Sequence, residues 1–192
     1  NGVLIVVDPY LVLRRGFGAP LLQDFVDGLD QAAASRARQC LDHVTELYAL
    51  EALAAVVGDA GASRLYTEQD LRRAFGRKRS TADAAVDYGA DWLVVEVTTT
   101  ALRRSTLAGG TAEDIEDDLS RYVDKVQQLD ATIKELRADE TRLTGAAPHA
   151  RRFVPVLVLE DGFPINPVSL RTLRQMASVA GYLEGADVDA LE

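Results

Sequence analysis

The run Trp92-Leu93-Val94-Val95-Glu96-Val97-Thr98 is apolar at five positions from Trp92 to Val97, three of them β-branched, and one carboxylate breaks it. Such a run reads as a short strand covered on both faces. An ionised carboxylate taken out of water costs several kcal/mol unless a cation, a metal or several donors meet it, so Glu96 requires a partner. Side chains alternate along a strand. Trp92, Val94, Glu96 and Thr98 therefore share one face, while Leu93, Val95 and Val97 share the other. The acid falls near the strand's end, where a cleft can open.

The segments around this strand are read from their periodicity. Residues 30 to 57 lack Pro and Gly and are rich in Ala and Leu, which predicts a helix; Leu41, Val44, Tyr48, Ala52 and Ala55 keep helical spacing on it. A short strand is expected over 64 to 66, and Thr67-Glu68-Gln69-Asp70 reads as the capped start of a brief helix through Phe75. A weak strand over 81 to 86, containing Asp83, turns at Tyr88-Gly89-Ala90-Asp91 and returns antiparallel as the Trp92 run. Asp87 and Asp91 read as ordinary turn residues. Ile115, Leu119, Tyr122, Val126, Leu129, Ile133 and Leu136 then recur every three or four residues and predict an amphipathic helix to about Arg137, after a capped start at Thr111. Residues 153 to 160 form a further strand with Pro155 near its start or an edge. Residues 168 to 183 close the fold as a helix with Leu170, Leu173, Met176, Ala177 and Ala180 inward. The expected organisation is an N-terminal extended or strand segment over 1–30, one α/β domain over 31–184, and an acidic, mobile tail over 185–192.

Asp83, about a dozen residues, and then Glu96-Val97-Thr98 resembles the central hairpin of the PD-(D/E)XK nuclease superfamily. The resemblance covers roughly residues 38 to 160, and the order of helix, basic loop, hairpin and long helix agrees with it. It implies a restriction-endonuclease-like, three-layer sandwich with a central mixed sheet. It also implies that Asp83 and Glu96 hold Mg²⁺ or Mn²⁺, which suit hard oxygen ligands, with Glu46 of the preceding helix as a further acidic ligand. The superfamily's motif continues with a lysine that orients or deprotonates the attacking water. Thr98 stands in that place. The chain has three lysines, Lys78, Lys125 and Lys134, and Lys125 lies at the edge of the long helix's apolar stripe. Its side chain either reaches the cleft from there or stays at the surface. Gln128, one turn on, resembles a glutamine on the corresponding helix of some members and lies nearer solvent.

Charge and composition limit the partners. A net charge of −9 opposes non-specific coating of nucleic acid, yet Arg77, Lys78 and Arg79 precede the hairpin and Arg103 and Arg104 come after it. These are either a phosphate-binding rim or solvated loops. Cys40 is a single thiol, so no internal disulfide forms, and His43 has no clustered second histidine for zinc. We read no signal peptide and no apolar run near the roughly 20 residues that span a bilayer, and expect a cytoplasmic protein without membrane contact. Neither a GxxxxGK[ST] loop nor a GxSxG elbow is present. Two functions stay open: a metal-dependent DNA nuclease of restriction, repair or phage defence, and an inactive relative that binds nucleic acid, a protein partner or a second copy of itself.

Overall fold

The computed structural model describes residues 24–58, 63–76, 80–103, 106, 109–147, 150–159, 167–183 and 185–191. Residues 1–23 of the expected N-terminal extended or strand segment and the basic residues Arg77, Lys78, Arg79 and Arg104 lie outside them. The elements in order are α1 (Gln31–Gly58), β1 (Arg64–Thr67), α2 (Glu68–Phe75), β2 (Ala84–Asp87), β3 (Asp91–Thr98), α3 (Ala112–Asp139), α4 (Thr141–Thr144), β4 (Arg152–Leu159), α5 (Pro167–Val179) and α6 (Ala186–Asp189). The four strands make one mixed sheet in the order β1-β2-β3-β4. β1 to β3 run antiparallel as a meander, and β4 pairs parallel to β3. A parallel partner needs a crossover, and α3 supplies it.

β3 is central and covered on both faces, as its composition requires. Trp92 and Val94 pack with Tyr122, Val126, Leu129 and Ile133 of α3. Val95 and Val97 pack on the opposite face with Leu50 and Leu53 of α1. The result is a three-layered α/β arrangement, with α1 on one face and α2, α3 and α5 on the other.

α1 is turned away from the face that its spacing suggested. Tyr48 is 73% and Val44 55% exposed, whereas Ala49, Leu50 and Leu53 meet the sheet and Val57 is buried. Apolar residues surround this helix almost evenly, so periodicity alone selected no stripe; the flat sheet face takes the leucines. On α3 the stripe is as expected, except that Ile115 in its first turn overhangs the sheet and is 44% exposed. On α5, Ala180 lies past the helix end and is exposed, while Leu173 and Ala177 are buried.

β2 is shorter than predicted: it starts at Ala84, leaving the buried Thr81 and Ala82 and the half-buried Asp83 as its approach. The tail is also corrected. Leu191 is buried, and Asp187 forms a 2.6 Å ion pair with Arg137 of α3, so these two residues of the tail pack against the core, while Gly185 and Asp189 are exposed.

Candidate functional site

The site grows from the end of the β2–β3 hairpin. Ala84 pairs with Val95, so one further step in this register sets Asp83 across from Glu96. β2 has ended there, and the Asp83 carboxylate takes over the ladder position: its Oδ2 accepts the Val97 amide at 2.7 Å. The Asp83 backbone is fixed as well, since its carbonyl accepts the amide of Glu68 at 2.8 Å. Glu68 opens α2, where Thr67 and Asp70 form a capping box. The sequence thus builds a rigid corner around Asp83.

Glu96 points from β3 toward α3 and is completely buried. Its Oε1 accepts a hydrogen bond from Lys125 Nζ at 2.9 Å, and its Oε2 is buried without a partner among the described residues. Burial, reinforced by the charge of Asp83, pushes the Glu96 carboxyl up to about 7, against the pull of Lys125. Burial also raises Asp83, although the Val97 amide and Lys125 oppose it. Burial disfavours the Lys125 ammonium, but Glu96, Asp83 and Asp42 outweigh it and hold the amine above its usual range. A surplus of negative charge surrounds one amine.

Glu46 reaches the same place from α1. Burial and then the charge of Asp83 raise its carboxyl, placing it in the field of that group. Asp42, one turn earlier on α1, bonds the Thr99 hydroxyl. Together with Asp83, Lys125 and Thr98 to Thr100 they line a pocket of roughly 190 Å³. That is smaller than the roughly 300 to 1,000 Å³ of a drug-sized ligand site, so it suits an ion or the end of a larger substrate.

Of the residues singled out from sequence, Asp83, Lys125 and Glu46 therefore line one pocket, and Glu96 joins them through its bond to Lys125. Thr98 contributes no cation; its hydroxyl donates to Thr100 Oγ1 at 2.8 Å and accepts the Thr100 amide, turning the chain out of the sheet. Gln128 is half-buried on α3 and does not line this pocket; its carbonyl accepts the Thr132 hydroxyl at 3.0 Å. Arg103 is committed to α3, with its amide and Nε both 2.8 Å from the buried Asp118 carboxylate. Asp42 was not singled out, although its i, i+4 spacing to Glu46 was the available signal. Among the described residues, no three His, Cys, Asp or Glu side chains converge as a ready-made metal cage, and no helix is long and apolar enough to cross a membrane.

No protein-family model matches the chain, and neither a curated protein nor a solved structure matches it.

Proposed function

We propose that this chain is a PD-(D/E)XK-like, metal-dependent phosphodiester hydrolase domain acting on DNA, with Lys125 standing in for the lysine that Thr98 displaces. The observation that carries this reading is the 2.9 Å approach of Lys125 Nζ to Glu96. A cation from a different element enters the site where the superfamily's motif would have placed one on the strand. The mixed sheet, the Asp83–Glu96 pairing across the hairpin and the crossover helix support the same relationship.

The residues present fit a divalent cation. Glu96 Oε2 is buried with no hydrogen-bond donor among the described residues, and Asp83 across the hairpin is a second hard carboxylate; two such ligands with water suit Mg²⁺, while Glu46 lines the pocket without converging on them as a third. Mg²⁺ or Mn²⁺ held by these residues would supply an acidified water and neutralise charge on a phosphodiester. Asp83 is aligned beforehand by the Val97 amide, so little reorganisation accompanies binding. Lys125, half-buried and protonated, neutralises Glu96 in the unliganded chain; at the same atom, Nζ, it can orient a nucleophile or donate a proton.

Calorimetric titration with Mg²⁺ and Mn²⁺, with plasmid nicking as the second assay, tests the reading on wild type, Glu96→Ala and Lys125→Met. Metal uptake lost in E96A, with nicking that falls about 10²- to 10⁴-fold in K125M, is the expected pattern. Absence of metal uptake by wild type would overturn it. Metal binding without nicking would favour the second reading, an inactive relative that serves as a binding module. The shortage of a third converging ligand among the described residues favours that alternative.

A further inference from the structure

We propose that Thr132 is a positioning residue of this site, setting Asp83 against Lys125 and Glu96; the inference rests on the metal-site reading above. Thr132 is buried on α3, seven residues beyond Lys125. Seven residues are about two helical turns, so both side chains leave α3 on the same side, roughly 10 Å apart along its axis. Lys125 joins α3 to Glu96 on β3. Thr132 joins it to the approach of β2, accepting the Ala82 amide at 2.8 Å.

The direction of that bond is fixed. The Thr132 hydroxyl donates its proton to the Gln128 carbonyl at 3.0 Å, which leaves a lone pair for Ala82. Ala82 is completely buried and precedes the strand, so its amide has no ladder partner and takes the hydroxyl instead. The next residue is Asp83, clamped between Glu68 through its carbonyl and Val97 through its carboxylate. The chain of contacts thus runs from Thr132 to Ala82, Asp83 and the Val97 amide, and ends beside Glu96. One helix sets the spacing of both acids.

Without Thr132 Oγ1 the Ala82 amide would be buried and unsatisfied, and relieving it requires that the approach to Asp83 move. Valine keeps the shape and removes the oxygen. Serine keeps the oxygen.

Two readouts test this on the full chain: hydrogen exchange of the Val97 amide in metal-free protein, and calorimetric Mn²⁺ affinity. Thr132→Val is expected to speed Val97 exchange about tenfold relative to other β3 amides and to weaken Mn²⁺ binding by up to about tenfold, the size of one buried neutral hydrogen bond. T132S should bring both within about threefold of wild type, because it restores the same acceptor. Glu140→Gln perturbs the far end of β3 and should alter neither, which separates local repositioning from general loosening. Val97 protection in T132V equal to that of wild type, or equal effects in T132V and E140Q, would overturn the proposal. Should wild type take up no Mn²⁺, the metal-site reading fails, and Val97 exchange by itself still decides whether Thr132 positions Asp83.

Discussion

β3 carries buried charge at both of its ends, and the two ends treat it in opposite ways. At the start, Trp92 Nε1 donates to Glu140 Oε2 at 2.7 Å, while Arg151 Nε lies 2.8 Å from the same oxygen. Arg151 also bonds Asp87 and the Gly89 carbonyl, and its guanidinium stacks 5.0 Å over the Trp92 ring. Two acids, an indole and a carbonyl gather around one arginine, whose buried Nε meets Glu140 Oε2 as an ion pair but lacks hydrogen-bond geometry. At the other end, among the described residues, Glu96, Asp83, Glu46 and Asp42 lie around Lys125, one Glu96 oxygen has no hydrogen-bond partner, and three carboxyls are raised. A closed network of this kind contributes to the fold, whereas an unbalanced one stores unfavourable charge that a cationic ligand can relieve.

The contrast is broken most directly by removing the arginine. Arg151→Ala leaves the Asp87 and Glu140 carboxylates buried without their counter-ion, and should cost about 3 to 5 kcal/mol in urea unfolding. Divalent cations should not restore it. Recovery of R151A by Mg²⁺ would show that the two ends are not distinct.

The open end should differ from the closed one in its response to pH. Glu96 titrates near 4.5 when unfolded and near 7 when folded, so between these values the native chain holds a proton that the unfolded chain has released. Its contribution is complete below 4.5 and is lost as pH rises to about 7; carrying the group over that interval corresponds to about 3 kcal/mol. In Glu96→Gln that loss disappears. The stability of E96Q relative to wild type should therefore climb across pH 4.5 to 7 in parallel denaturation series, and a flat difference would remove the claim that Glu96 is held out of its normal range.

The smallest expected effect concerns the rim. Tyr122 of α3 donates its hydroxyl to the Thr100 carbonyl at 2.6 Å, and burial pushes that phenol up to about 12. Tyr122→Phe should cost about 1 kcal/mol, leave the closed end unchanged, and loosen the pocket side formed by Thr98 to Thr100. Protease susceptibility of residues 99 to 103, compared between wild type and Y122F, measures it; equal cleavage would mean the loop is held elsewhere, for instance through Arg103 and Asp118.

Legibility in the sequence depends on how locally each feature is determined. β3 and α3 were legible because a run of β-branched residues and a regular 3- to 4-residue stripe each admit one reading. Asp83 and Glu96 stand out through the resemblance to a known hairpin, and Lys125 in the cleft is one of two placements its helical phase allows; the hairpin register and that phase bring them together. The face of α1 was not legible, because its alanines, leucines and valines leave the phase to whatever the sheet offers. Asp87 and Asp91 read as turn residues but end β2 and open β3; the turn lies between them, where the Asp87 Oδ1 accepts the Gly89 amide at 2.8 Å and Gly89 sits at φ 81°. The second role of Asp87, holding Arg151, depends on a residue 64 positions away and left no local pattern. Thr132 and the packed Leu191 are hidden for the same reason: each is defined by a distant partner.

Delivering a cation from a helix instead of a strand has a consequence at position 98. A lysine at the last residue of β3 would have to serve both as a charge donor and as the point where the main chain leaves the sheet. With the amine on Lys125, Thr98 can devote its hydroxyl to bending the backbone toward Thr100. Charge and chain reversal are thereby uncoupled, so the outlet of the strand can be redesigned in shape or length while the ammonium keeps its address.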